Sequence, residues 1–334
     1  MSNKKQDITL NDINSLVANE YGFTFKEIES ELLSTSLNDV YLIKTKKGKR
    51  ILRVYGLGLR TLSDIKAEME LLNDLFSKGV NVHRPISSLV SGNHIVDIEH
   101  PVGLRHAVLF NYSEGKELKR LTGNQNFQFG ANLATFHYVS NESNLKFDKP
   151  EYTIDTLLHK SFKSISNHIN PVQKSELKRI IKKIENLIEE IGLIKDKDIY
   201  GICHGDYLSR NTLWDDFSNS TIIDFDFFSK GYRAYDISHY KWELDYAKHD
   251  KEYVNKSWSS FLNGYNSIRR ISENEMRLIY ISVALFHIFM GSERIKLAKV
   301  LGEDMINELF WSRCFEFLKE WEAKEYLYEI KQVN

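Results

Sequence analysis

The stretch CHGDYLSRNTLWDDFSNSTIIDFDFFSKGYRAYD, residues 203–236, decides how this chain reads. Two short apolar runs, residues 201–203 and 220–223, each stop abruptly at polar or charged residues. That is how a strand delivers polar groups to a site at its end. Asp206 leads Asn211 by five residues, and Asp224 follows thirteen residues later at the end of TIID. One carboxylate and one amide oxygen arriving from separate strand ends form a hard-oxygen set suited to Mg²⁺, which keeps several waters and is completed by substrate phosphates. A further carboxylate beside them can accept the proton of an attacking hydroxyl. Together these are the parts of phosphoryl transfer, where positioning and charge neutralisation carry most of the catalysis. Taken singly, each residue also fits an ordinary turn-stabilising Asx role.

Working outward, 334 residues accommodate two linked lobes. A net charge of -1 leaves no electrostatic footprint for nucleic acid or an anionic membrane. Cys203 and Cys314 are the only cysteines, which excludes a disulfide framework and a CxxC metal site. The N-terminal lysines are followed by no apolar run, so no signal peptide is read and the expected location is cytoplasmic. The apolar stretch 278–290 is interrupted by Ser282 and His287 and is too short to span a bilayer, so it reads as a buried helix.

Residues 1–112 read as an α+β lobe. DVYLIKT and ILRVYG are two strands joined by a KKGKR turn. SDIKAEMELLNDLFSKG is a helix with Ser63 as its expected cap, Leu71, Leu72 and Leu75 on one face, and Gly79 at its close. HRPISSLV and HAVLFNYSEG supply two more strands, the second breaking at Glu114-Gly115. Residues 113–334 are mostly helical. One helix begins with Asn170 as cap and Pro171 at its first position, and stops at Gly192.

HGDYLSRN followed by IDFD resembles the catalytic and metal motifs of the aminoglycoside phosphotransferase and choline kinase superfamily. FGANLATFH, ending at His137, and GYRAYDISHY are similar to further family segments, so the resemblance covers roughly residues 30–245. It implies an α+β, two-lobed protein-kinase-like fold, with a small antiparallel-sheet lobe and a larger helical lobe. It also implies ATP and Mg²⁺ as cofactors and a small-molecule hydroxyl as phosphate acceptor.

Carried over residue by residue, Asp206 would be the catalytic base, and Asn211 and Asp224 would hold Mg²⁺ against the ATP phosphates. His204 would fix the loop, Asp226 would be a supporting acid or a further metal contact, and Asp236 would brace the loop. Arg53 stands where most kinases carry the phosphate-gripping lysine, with Glu68 as its helix partner and Glu70 as the alternative. The loop LSTSLNDVY has no glycine, so Ser34, Thr35 or Ser36 hydroxyls and backbone N–H groups would hold phosphates. Aligned on Glu114-Gly115, the Asn111 carbonyl and Tyr112 N–H would face the adenine.

Protein kinases usually carry a lysine two residues after the base; here that position is Leu208, while Arg210 offers a charge near the γ-phosphate. Glu243 and Asp245 are the candidate binders of an acceptor amine. Trp242 and the C-terminal aromatics Trp311, Phe315, Phe317, Trp321, Tyr326 and Tyr328 offer faces for a cation, against the plainer reading of helix packing. Three functions fit: a kinase of an antibiotic, an amino alcohol or a homoserine-like metabolite; a bacterial stress-response-type protein kinase; and a non-catalytic nucleotide-binding module.

Overall fold

The computed structural model describes residues 8–100, 103–216 and 219–324. Tyr326 and Tyr328 lie outside these residues. The chain forms two compact units. The first comprises Met1–Lys116, Ser143–Lys149 and Leu213–Ile223, and the second Glu117–Glu142, Pro150–Thr212 and Asp224–Asn334.

In the first unit, strands β1 (Glu29–Thr35), β2 (Asp39–Thr45), β3 (Gly48–Val54), β4 (Pro85–Ile86), β5 (Ile95–Ile98) and β6 (Arg105–Asn111) form one antiparallel sheet. Its order is β1-β2-β3-β6-β4, with β5 also on β6. The KKGKR turn closes the β2–β3 hairpin at the Thr45–Gly48 pair. Helix α1 (Leu10–Tyr21) lays Ile13, Val17 and Tyr21 into a core shared with Ile43, Leu52, Val54 and Leu109. Helix α2 (Leu62–Ser77) buries Leu71, Leu72 and Leu75 as its spacing predicts. Its cap is Thr61 rather than Ser63, because Thr61 and Asp64 close a reciprocal capping box.

The boundary expected at residues 112–113 is too simple. Segment 213–223 belongs to the first unit because Lys116 and Trp214 exchange backbone hydrogen bonds of 2.9 and 3.0 Å, and Asn81 Nδ2 donates to the Ser220 carbonyl at 2.7 Å. Gly115 allows this return: a Cβ there would lie 2.7 Å from the Trp214 backbone.

The second unit holds α3 (Gly123–Ser140), α4 (Lys160–Ile165), α5 (Pro171–Ile191), β7 (Tyr200–Cys203), β10 (Ser229–Tyr232), α6 (Arg233–Tyr246), α7 (Lys251–Asn266), α8 (Glu273–Leu301) and α9 (Glu308–Glu322). β8 (Thr212–Trp214) and β9 (Ser220–Ile222) pair as a separate ladder. α5 has the Asn170 cap, Pro171 start and left-handed Gly192 stop that its sequence spells. Gly130 and Gly264 let α3 and α7 touch backbone to backbone, since a Cβ at either would fall within 2 Å of a facing carbonyl oxygen, at 1.9 and 1.8 Å. α8 is long and apolar enough to cross a membrane, but 78% of its apolar window is buried inside the protein. Trp311, Phe315, Phe317 and Trp321 are buried as packing residues of α9.

Candidate active site

The loop after β7 carries the second unit's polar cluster. β7 pairs with β10 up to Cys203–Ser229 and then stops at His204. Gly205 follows with φ 82°, and a Cβ there would lie 2.1 Å from the Phe227 carbonyl oxygen, so only glycine makes this turn. His204 N–H and Gly205 N–H both donate to the Asp236 carboxylate, at 2.6 and 2.8 Å. His137 Nε2 donates to the same carboxylate at 3.0 Å while its Nδ1 accepts from Tyr265 Oη at 2.8 Å. Burial alone would push the Asp236 carboxyl up; the His137 hydrogen bond and the neighbouring histidines outweigh it and hold the group below the usual carboxylate range. His204 is fully buried, with its ring on Phe225 at 4.5 Å and its Nδ1 accepting the Asp206 N–H.

Asp206 is therefore presented on a fixed backbone, with its residue 5% exposed. Asn211 Nδ2 donates to the Asp206 carbonyl and to its Oδ2, both at 2.8 Å. Because the amide nitrogen is turned inward, the amide oxygen is the atom left to meet a cation. Arg210 Nη2 bridges both Asp206 oxygens at 3.2 and 3.4 Å from a half-exposed side chain. Leu208 is buried in the core. Asp224 stands directly before the short 3₁₀ turn Phe225–Phe227 with φ 64°, ψ 64°, a left-handed conformation that aspartate tolerates better than most residues. Asp226 lies within that turn and is buried.

His137, Cys203 and Asp236 bring donor atoms within 4.8 Å of one another. They do not make a metal site, because both His137 nitrogens and both Asp236 oxygens already hold hydrogen bonds. The Cys203 thiol is pushed well up by burial and by the Asp236 charge, which disfavours the thiolate a metal needs.

In the first unit, Arg53 on β3 pairs with Glu68 on α2 at 3.1 Å, and Tyr55 Oη donates to the other Glu68 oxygen at 3.0 Å. Both partners are largely buried, at 13% and 5% side-chain exposure, whereas Glu70 is exposed. Tyr55 was not foreseen, although its place two residues past Arg53 puts it on the same strand face. His83 was also missed; burial and then the Arg53 charge lower it to about 3. Ser34 is paired with Val40 at the end of β1, and Ser36 lies in the turn that follows. That turn uses a glycine from outside itself: Gly56 N–H donates to Asn38 Oδ1 at 3.2 Å, and a Gly56 Cβ would strike the Leu37 carbonyl at 2.2 Å. Asn111 ends β6 with its N–H on the Arg84 carbonyl, and Tyr112 follows with the Lys49 ammonium 4.8 Å from its ring.

The three acceptor-binding candidates, Glu243, Asp245 and Trp242, already hold partners within the second unit. Glu243 accepts from Ser209 N–H and Oγ at 2.8 and 2.7 Å, so its two oxygens face the loop. Burial pushes its carboxyl up, against those two bonds. Asp245 is neutralised by Lys241 at 2.6 Å and Lys324 at 2.5 Å, with 5% of its side chain exposed. Trp242 donates to His287 Nδ1 at 3.0 Å and stacks on Tyr246, which makes it a packing residue. Each is held by a partner distant in sequence, which local spacing does not reveal.

The buried histidines have a consequence for stability. Burial holds His137 at about 3 and His239 and His287 at about 4. In the unfolded chain they take up protons near pH 6.5, so below that pH the unfolded state binds more protons than the folded one. Stability contributed by the neutral rings is therefore complete above about pH 6.5 and falls as the pH drops towards 4, by up to about 1.4 kcal/mol per pH unit for each ring. Denaturant midpoints measured at pH 7.5, 6 and 5 should fall steeply; a flat profile would contradict the neutral buried rings.

The chain is 26% identical over 290 residues to an uncharacterized protein of Synechocystis, spanning 85% of this chain and 78% of that one. Among solved structures it resembles the microcompartment-associated aminopropanol kinase, with a TM-score of 0.77, 20% identity and coverage of 96% of this chain and 98% of the other. It also resembles amicoumacin kinase hAmiN in complex with AMP-PNP, Ca²⁺ and Ami, with a TM-score of 0.74, 18% identity and coverage of 92% of both chains. These structural likenesses establish the protein-kinase-like fold. The sequence profile of the Phosphotransferase enzyme family matches residues 30–266, and the chain belongs to that family.

Proposed function

We propose that this phosphotransferase moves the γ-phosphoryl group of ATP to the hydroxyl of a small molecule, with Asp206 as the base. The observation that carries this reading is the Asp206 carboxylate, held at two points by Asn211 and Arg210 on a backbone pinned to Asp236. A group that must accept a proton in one geometry needs such a mounting. In the reaction the acceptor oxygen bonds to the γ-phosphorus, the bond to ADP breaks, and the hydroxyl proton passes to Asp206. The inward-turned Asn211 amide and the Asp224 carboxylate suit a divalent cation, Mg²⁺ in this proposal. Such a cation would neutralise phosphate charge when bound. Arg53, oriented by Glu68 and Tyr55, would grip the nucleotide phosphates, with Ser34 and Ser36 near them and Asn111 and Tyr112 at the adenine.

The acceptor is proposed as an amino alcohol, an antibiotic or a hydroxylated amino acid. Likeness to an aminopropanol kinase and to amicoumacin kinase supports the first two classes. The buried Leu208, where protein kinases usually carry lysine, favours a small-molecule acceptor over a protein. Incubation with Mg-ATP and a mixed panel of these compounds and peptides, read by mass spectrometry, tests the proposal. One phosphoryl group should appear on a panel alcohol, with matching ADP. Transfer to peptides alone would overturn the small-molecule reading, and binding without any turnover would overturn catalysis.

Arg53→Ala should raise the KM for ATP about tenfold or more and lower turnover further, because phosphate alignment is lost. It should also destabilise the protein by about 3 kcal/mol, since Glu68 is left buried and unbalanced. Arg53→Lys should recover part of both, lacking only the planar fork. Unchanged ATP kinetics in the alanine variant would show that the phosphate-gripping cation lies elsewhere.

A further inference from the structure

Asp236, His239 and Glu243 share one face of α6 at positions i, i+3 and i+7. A helix rise of about 1.5 Å per residue separates them by roughly 4.5 and 6 Å along the axis. Each meets a backbone amide of the loop in turn. Asp236 takes the N–H groups of His204 and Gly205, His239 Nδ1 takes that of Tyr207 at 3.2 Å, and Glu243 takes that of Ser209. The donors at 205, 207 and 209 advance two residues at a time, so the loop follows the helix face rung by rung.

The ladder holds the loop at two functional ends. Asp236 fixes the backbone entering Asp206. Glu243 fixes Ser209, the first residue of the 3₁₀ turn Ser209–Asn211. That turn closes with Asn211 N–H on the Leu208 carbonyl at 2.9 Å and delivers the Asn211 side chain. We infer that Glu243 is a positioning residue for Asn211, setting the cation-binding end of the loop separately from the base end. The inference rests on the reading that Asn211 holds the divalent cation. A carboxylate suits the task because it accepts from Ser209 N–H and Oγ at once. Glutamine retains one acceptor, and the Ser209 hydroxyl can rotate to accept from its NH₂ group.

Hydrogen exchange of the loop amides in the metal-free protein, and calorimetric ATP titrations with and without Mg²⁺, test this on the wild type, Glu243→Ala and Glu243→Gln. In Glu243→Ala, protection of Ser209 N–H should fall about tenfold or more while Gly205 keeps its protection. The Mg²⁺-dependent gain in ATP affinity should shrink by a similar factor, as expected for a lost hydrogen bond to a charged group. Metal-free ATP binding should not change. Glu243→Gln should restore most of both. If the alanine variant does not fold, Ser209→Ala replaces it: with one of the two bonds lost, it should fall below Glu243→Gln in both measurements. Equal loss of protection at Gly205 and Ser209, or an unaltered Mg²⁺ gain in Glu243→Ala, would overturn the positioning role. A wild type with no Mg²⁺-dependent gain would instead overturn the cation reading, while the exchange pattern still judges the ladder.

Discussion

Asp206→Asn is expected to lower turnover by about 10²-fold or more while ATP affinity stays within roughly twofold, the pattern for lost base catalysis without lost binding. The substitution is isosteric, and the loop is held independently of the changed atom, through His204 and Gly205 on Asp236 and through Ser209 on Glu243. Asparagine can still accept from Asn211 Nδ2 through its own amide oxygen, so the neighbouring amide need not move. What disappears is the ability to take a proton, together with the Arg210 ion pair. That pair involves a half-exposed side chain and is worth little to stability. The expected signature is a fall in kcat with an unmoved thermal midpoint and an unmoved nucleotide titration. Wild-type turnover at saturating substrate in this variant would remove Asp206 from the role of base.

Much of the site was legible because the sequence states it locally. HGD and the asparagine five residues after the aspartate lie within one loop, and Arg53 and Glu68 fall fifteen residues apart on a strand and the next helix. The helix over residues 171–191 was equally open, because its cap, its proline and its glycine are all adjacent to it. β1 was missed because nearly every residue along it is exposed, so no alternation marks it as a strand. Thr61 rather than Ser63 caps α2 because Asp64, three residues on, completes its capping box. The partners of the acceptor candidates were hidden for a longer-range reason. Glu243 is claimed by Ser209, thirty-four residues away, and Asp245 by Lys324 near the other end of the unit. Segment 213–223 joined the first unit through backbone hydrogen bonds to Lys116, which composition does not report.

In the proposed function Asp224 and Asn211 make ATP binding depend on a divalent cation, and Asp224 offers the sharpest access to that dependence. An amide oxygen and one carboxylate leave room for waters and for phosphate oxygens, the coordination Mg²⁺ prefers, and neither residue suffices alone. Asp224 has a left-handed backbone, φ 64°, so alanine there adds about 1–2 kcal/mol of strain. Asparagine tolerates that conformation and removes only the charge, which makes Asp224→Asn the companion variant. Calorimetric titration of ATP with and without Mg²⁺ on the three proteins is the decisive measurement. The wild type should bind ATP roughly tenfold or more tightly with Mg²⁺, as expected for charge-assisted contacts to the phosphates. Both variants should lose that gain while binding metal-free ATP as well as the wild type or slightly better, since one repelling carboxylate has gone. A full Mg²⁺-dependent gain surviving in Asp224→Ala and Asp224→Asn would contradict the account, and Asp226 would then be the residue to test.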